Sequence, residues 1–459
     1  MFQIKPLAAA VLTVISIQAM ADDSTSTQNQ FGDDNIADVT QSAASFSSAT
    51  QTQDGTGNYA EVYQAFTTST AQQTQSGDYN AAFAEQNDDM GSSSMQTQSG
   101  ALNDAASIQL LGDTSTSTQT QAGDENRALS WQEEQTESSA TNNQNGNFND
   151  ASITQVVGSG NTANITQAGD DNFAGTSQQF EDDSTISLQQ SGDFNDAYVD
   201  QYGGANNDAS VLQSGTGNFS ETWQDGQLAS ISTITQYGSY NEAVVDQTTG
   251  GDNQATVWQD GDFNAVQAEQ YDAYGVAVNV SQSGGADNLS YLHQEGSDHS
   301  LTVTSVGDGN KVYAGTPFDT NAGGQYGTAQ QAGLTQYGTD NQVNLSQAGN
   351  NNELYFTQDG TGNMLTSVQS EGGNLASGYS NGDYNSVELN QSGSGNEASV
   401  AQQYGDNNLA SIVQTDSGNY TTVTQGGSSN AAYVNQASFG QTAYVNQYGT
   451  GNTATVNQN

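Results

Sequence analysis

Along most of the chain, seven-residue blocks of alternating character are separated by four or five residues that favour turns. Residues 190–201, QSGDFNDAYVDQ, hold one complete block. Its odd positions Asn195, Ala197, Val199 and Gln201 are amide or small and apolar, and its even positions Asp196, Tyr198 and Asp200 are charged or phenolic. Alternation with period two predicts a half-buried β-strand, because successive side chains of a strand point to opposite faces. Nothing recurs at a helical spacing. A Gly stands two residues past many of the Gln, as at Gly32, Gly55, Gly77, Gly192, Gly215 and Gly449. It supplies the positive φ that a tight connection needs.

The block is a repeat. Steps of 23 from Gln75 reach Gln98, Gln121, Gln144, Gln167, Gln190, Gln213, Gln236, Gln259 and Gln282 before Ser305 breaks the run. A second series runs from Gln86 to Gln270 without a miss, and late in the chain Gln425, Gln436, Gln447 and Gln458 follow at steps of eleven. Six residues before such a Gln stands a small polar residue. It is Asn at Asn35, Asn58, Asn80, Asn195, Asn241, Asn430 and Asn452, before Gln41, Gln64, Gln86, Gln201, Gln247, Gln436 and Gln458; it is Ser24 before Gln30. Two blocks with their turns make a unit of 22 or 23 residues, and about 19–20 units fill the chain from Ser24 to Gln458. Residues 316–324, TPFDTNAGG, fit worst, and Pro317 cannot donate to a ladder, so an irregular rung is expected there.

Two strands joined by a turn make one rung, and like rungs stack in parallel about 4.8 Å apart. Each inward Asn or Gln then lies over its counterpart, so amide bonds to amide, sparing a cost of about 1–3 kcal/mol per buried orphan group. In STSTQTQ (115–121), Gln119 occupies the position that Leu188 or Val445 takes later, so part of the interior is polar. The predicted fold is all-β, a two-sheet parallel β-solenoid with cross-β geometry and a length near 95 Å for roughly twenty rungs. The last motif, TATVNQN, is complete and not an atypical cap, which predicts an open end able to template another chain.

Composition alone does not separate this fold from disorder. The chain has 459 residues with 51 acidic, three basic, two Pro and no Cys, and is only 33% hydrophobic. Low hydrophobicity with high charge suits a disordered chain, whereas Asn and Gln suit cross-β stacking; the periodicity decides for the second. Residues 1–21 read as a secretory signal peptide, with Lys5, an apolar run from Leu7 to Ile17 and Ala19-Met20-Ala21 as cleavage site; residues 22–459 are the solenoid. Cleavage leaves Arg127 and Lys311 against 51 acids, a formal charge of −49. That charge argues against nucleic acid and anionic lipid as partners, and without Cys no disulfide holds the exported chain.

At the residues that carry the repeat, the chain resembles curlin, the subunit of curli fibres on bacterial surfaces. SATQTQDGTGNYAEVYQ (48–64) and STITQYGSYNEAVVDQ (232–247) hold the family's Gln-x-Gly-x-x-Asn-x-Ala-x3-Gln segment entire. The resemblance implies a functional amyloid that polymerises with itself in the biofilm matrix, outside a Gram-negative cell. It also implies export through an outer-membrane channel and nucleation on a minor curlin, with the Gln at strand ends controlling assembly. Curlins have a handful of repeats, and a targeting segment precedes their first; here the units are several times more numerous and Ser24 already opens a strand motif.

Other chemistry is sparse. The pairs Asp33-Asp34, Asp88-Asp89, Asp170-Asp171 and Asp182-Asp183 bear the carboxylates that glycoside hydrolysis needs, but the pattern places them in turns or on outward faces. No catalytic residue, cofactor or discrete metal site is expected. The EF-hand loop and the calcium-binding nonapeptide are missing, so cations are expected only as weak, distributed screening of the acids. His293 and His299 fall in an irregular rung as structural substitutions, and Trp131, Trp223 and Trp258 fall at outward positions. No P-loop or nucleophile motif is present. The competing reading is a monomeric acidic solenoid that acts as an adhesin or surface binder. An ice-binding version would need a flat Thr-x-Thr array on one outward face; outward residues taken together mix Asp, Tyr, Phe, Glu, Ser and Thr, so no such array is expected. Intermolecular contact is expected at the terminal rungs, 24–41 and 430–458.

Overall fold

The computed structural model describes residues 23–315 and 323–459. The expected signal peptide, residues 1–21, and the heart of the irregular stretch, Pro317 included, lie outside the described residues. The described residues contain 39 β-strands and no helix. The strands form two parallel sheets, one running from Thr25–Asp33 to Thr442–Tyr448 and the other from Ile36–Ser42 to Thr453–Gln458. Each rung gives one strand to each sheet, and nineteen rungs stack. Pairing is in register, so Gln30 lies beside Gln53 and Gln41 beside Gln64, and apart from register shifts at Asp260/Gly261 and Tyr271/Ala273 and a longer step at one split rung, the step of 22 or 23 residues continues to Gln436 beside Gln458.

One rung is split. Lys311–Ala314 and Gly324–Thr328 lie end to end between Leu289–Ser297 and Gln342–Asn350, with Leu289 beside Lys311 and Gln294 beside Gln325. The two pieces keep the register of the strands on either side, so stacking survives an insertion in one strand.

Many strands are longer than seven residues. Thr185–Asp193 continues through Gly192, which pairs with Gly215. The reversal comes at Phe194, in the left-handed region at φ 57°, just before Asn195. Tyr79, Phe148, Tyr240 and Phe263 take the same place in other rungs. A left-handed conformation costs a non-glycine residue roughly 1–2 kcal/mol. It persists because the stack fixes it: the Phe194 N–H donates to the Asp170 carbonyl one rung back (3.1 Å), and Tyr240 does the same to Thr216 (3.0 Å).

The interior changes along the column. From Ala140 to Val445 buried Ala, Val, Ile and Leu form one continuous apolar core. The first rungs have only a small cluster of Ala49, Val62, Ala71 and Ala84. Beside that cluster the Gln28, Gln51, Gln73 and Gln96 amides each donate to the next rung's side-chain oxygen, ending on Gln119, at 2.8–3.0 Å. Asn142 takes the next place and Ile165 the one after. Asn142 is too short to continue the ladder, and its side-chain oxygen has no partner.

Candidate assembly surfaces: amide ladders, open ends and outer faces

The Gln ending each strand points inward. In the second sheet the column runs unbroken through all nineteen rungs, each Nε2 donating to the Oε1 of the next rung. The steps from Gln41 to Gln64 and Gln64 to Gln86 are 2.8 Å, and Gln201 stands between Gln178 and Gln224 at 2.8 Å each. Gln247 donates to Gln270 (2.8 Å) and Gln436 to Gln458 (2.8 Å). In the first sheet the column runs from Gln30, which donates to Gln53 (2.8 Å), to Gln447, which accepts from Gln425 (2.9 Å). Ser305 and Ser380 interrupt it, each donating onward, to Gln336 and Gln402.

The Asn column runs in the opposite sense. Asn195 Nδ2 donates back to Asn172 Oδ1 (3.0 Å) and forward to the Gly215 carbonyl (3.0 Å), and its backbone N–H also donates to Asn172 Oδ1. Asn35, Asn58, Asn80 and Asn241 bond forward likewise, to the carbonyls of Gly55, Gly77, Gly100 and Gly261. Asn430 reaches Gly449 (3.0 Å), and Asn452 donates back to Asn430 (2.8 Å). The glycines at positive φ, Gly32 (98°), Gly55 (134°), Gly77 (105°), Gly192 (101°), Gly215 (128°) and Gly449 (104°), thus form a second column. Of these, Gly55, Gly77, Gly192, Gly215 and Gly449 each accept at the carbonyl from an Asn of the preceding rung, so each such Asn–Gly pair works across the rung boundary.

Both ends are open. Thr25–Asp33 is exposed throughout, and Thr453–Gln458 is covered on one side only. The ladders give the ends opposite polarity. At the start Gln30 and Gln41 present acceptor oxygens, and at the finish Gln447 and Gln458 present donor amides. The Asn column ends on Asn452 Oδ1, an acceptor.

One arc corrects the expectation that the acidic pairs face solvent. Asp89 and Glu181 are fully buried. They belong to a column in which a larger polar side chain alternates with Gly at steps of 23: Asp89, Gly112, Gln135, Gly158, Glu181, Gly204, Gln227 and Gly250. Glu181 Oε2 accepts from Ser184 Oγ (2.7 Å) and Asn207 Nδ2 (3.2 Å), and its Oε1 has no partner; Asp89 Oδ1 accepts from Ser92 Oγ (2.7 Å), and its Oδ2 has none. Burial pushes both carboxyls above the usual range, outweighing the hydroxyl and amide donors that favour the charge. Gln227 sits two rungs past Glu181 with the equivalent partners, Ser230 Oγ (2.8 Å) and Asn253 Nδ2 (3.0 Å). A group whose pKa is raised by folding binds more protons folded than unfolded, so its penalty is present at pH 7 and relieved as pH falls toward the ordinary carboxylate value. Glu181→Gln is therefore expected to raise stability at pH 7 by about 1 kcal/mol or more. It should also reduce the gain that the wild-type shows between pH 7 and pH 4.5. Denaturant midpoints at the two pH values measure both effects; a variant less stable at pH 7 contradicts this reading.

The histidines are structural in placement. His299 is buried in an Asn column position, where Nδ1 accepts from the Gln330 N–H (3.1 Å) and Nε2 donates to the Glu295 carbonyl (3.0 Å), and burial lowers its pKa. His293 stands at an outward strand position but is buried, packed against Tyr326 with Nδ1 3.2 Å from Glu269. A shallow depression of about 300 Å³ on the second sheet is lined by Phe173, Gly175, Tyr198, Asp200, Glu221 and Trp223. None of the four acidic pairs lines it. Among the described residues no three His, Asp or Glu gather as metal ligands.

The two outer faces differ, which the mixed composition of outward positions concealed. In the second sheet twelve of the outward strand positions are acidic, among them Asp38, Glu61, Glu85, Asp104, Asp196 and Glu221. In the first sheet only Asp208, Glu353 and Glu397 are. Over the first eight rungs, 25–189, the outward residues of the first sheet read TTN, STT, TQT, SMT, TTT, STN, TNT and TSQ, with no charge. A hydroxyl-rich array thus exists on one face, contrary to the expectation from composition.

These features define a class: a parallel β-solenoid whose repeat is a self-stacking amide-laddered rung, a structural scaffold. The family model for the curlin associated repeat matches residues 136–169, 182–215, 233–271 and 382–415, so the chain carries curlin associated repeats in these four stretches. The ladders continue in the same geometry between and beyond the matched stretches. No curated protein matches the sequence.

Proposed function

We propose that this protein is the structural subunit of an extracellular curli-like amyloid fibre, polymerising end to end for adhesion and biofilm matrix. The polarity of its ends carries the reading. If the 22–23-residue register runs on into a second copy, Ala454 lies beside Ala37, Val456 beside Val39 and Gln458 beside Gln41. Donors of Gln447 and Gln458 then meet acceptors of Gln30 and Gln41, while Asn35 donates to Asn452. Head-to-head contact would set acceptor against acceptor. In the first sheet the join is poorer, because Val445 meets Gln28. A buried apolar group against an amide makes this boundary weaker than an internal one, which leaves a role for a nucleating minor curlin. Export by a signal peptide and an outer-membrane channel, and a site outside a Gram-negative cell, follow from the family resemblance.

The test is the chain lacking residues 1–21, followed by thioflavin-T fluorescence and electron microscopy across salt and Ca²⁺ concentrations. Fibres are expected, forming faster with added salt because screening relieves the excess of 51 acids over two basic residues. Persistent monodisperse monomers under all conditions would sink the proposal; rates indifferent to salt would count against the electrostatic part alone.

A further inference from the structure

The uncharged face of the first sheet needs a partner of its own kind. Across eight rungs its 24 outward strand positions hold 14 Thr, four Ser, three Asn, two Gln and Met95, and the charges of these strands lie past the ladder Gln at the rim, on Asp33, Asp54, Asp78 and Asp193. On the same eight rungs the second sheet carries Asp38, Glu61, Glu85, Asp104, Asp150, Asp196 and Asp200. Two columns of such negative charge repel when their acidic faces approach within a Debye length, about 8 Å at physiological salt. Only the first-sheet faces can close to the roughly 10 Å separation of packed sheets.

We propose that two copies of the chain pair laterally through the first-sheet face of rungs one to eight, centred near Thr97 and Thr118, as a dry interface of interdigitated Thr and Ser. The two copies present the same face with the same rung spacing, so side chains of one can interdigitate with those of the other as in a steric zipper. Thr offers a methyl to bury and a hydroxyl to bond, and the hydroxyls already link rung to rung, Thr25 to Ser48 (3.3 Å) and Thr116 to Ser139 (3.2 Å). Seven residues at about 3.3 Å by eight rungs at about 4.8 Å give roughly 900 Å² per copy. Both copies together bury roughly 1,800 Å², which is the size of a stable specific interface. The pairing is independent of end stacking, so a fibre and a single column can each show it.

The measurement is mass per length of fibres, with fibre length recorded separately. A single column of 47.8 kDa over nineteen rungs has about 0.5 kDa per Å. The wild-type is expected at twice that value. Thr118→Glu with Thr120→Glu should halve it and leave fibre length unchanged; Ser152→Glu with Thr154→Glu, on the opposite sheet, should change neither. Outward Glu is native at Glu85 and Glu221, so these strands accept it. If no fibres form, sedimentation of the dispersed chain reads the same comparison as dimer against monomer, which separates failure of pairing from failure of polymerisation. Wild-type at single-column mass, or a Thr118/Thr120 variant that stays paired, overturns the proposal. A single-column wild-type that adsorbs to ice or crystalline polysaccharide through this face overturns it in favour of that surface.

Discussion

Gln201→Leu is expected to destabilise the middle of the column by about 3 kcal/mol, although leucine is apolar and close in size. Gln201 accepts from Gln178 (2.8 Å) and donates to Gln224 (2.8 Å) and to the Thr185 carbonyl (3.2 Å). Leucine strands one donor on Gln178 and one acceptor on Gln224 in a closed interior, and each orphan costs about 1–3 kcal/mol. The first sheet shows how a break is tolerated. At Ser305 the preceding Gln282 turns its amide to Ser290 Oγ (3.2 Å), and Ser305 itself donates to Gln336 (3.1 Å). Gln201→Ser should therefore cost less than Gln201→Leu. Because each rung touches only its neighbours, the loss is local. Hydrogen exchange should rise between residues 173 and 228 and stay unchanged near either end. Equal protection in wild-type and Gln201→Leu would show that the ladder is incidental to stability.

A second large effect is expected at Gly215. Its φ of 128° is one that side chains rarely adopt, and a Cβ there would lie 1.9 Å from the Gly238 carbonyl oxygen and 2.8 Å from its carbon. The obstacle is backbone held in the next rung, which cannot swing aside as a side chain would. Gly215→Ala is expected to cost more than about 3 kcal/mol, in the range of strained backbone combined with overpacking. Gly395 is the control: its φ is 66°, and a Cβ would meet nothing within 4 Å. Gly395→Ala should cost only the left-handed penalty, about 1–2 kcal/mol. Denaturant midpoints of the two variants measure the difference, and equal losses would remove neighbour crowding as the reason for the glycine column.

The ladders were legible in the sequence because a rung's nearest partner is its own copy 22 or 23 residues away. Periodicity therefore reports directly on contacts, and Gln41, Gln86 and Gln247 needed no long-range inference. The arcs were not legible. Gly192 reads as the turn, yet the strand passes through it and the chain reverses at Phe194. Local propensity disfavours a left-handed Phe, and only the stack's hydrogen bonds make it possible. Asp89 looks like a solvent-facing member of an acidic pair, and Glu181 stands beside another, Asp182-Asp183, with nothing local to mark it as buried. Their burial follows from an alternation with Gly112, Gly158 and Gly204 over two rungs, a period of 46 residues whose signal is weaker than that of the Gln. The neutral face escaped for a different reason: composition averages the two sheets, and only assignment of each strand to its sheet separates the Thr from the Asp.

End-to-end stacking in continued register is the central claim, and the absence of Cys makes it directly testable. Thr27 in the first rung and Tyr444 in the last occupy the same outward column of the first sheet. Chains carrying Thr27→Cys are mixed with chains carrying Tyr444→Cys and oxidised during assembly. Neighbouring rungs in register bring the two positions within reach of a disulfide, so the mixture should yield the 27–444 cross-link between different chains in high proportion. The dominant product would contradict the account if it were a 27–27 or 444–444 link, or if 27–444 formed no more often than a cross-link to an outward position in the middle of the column.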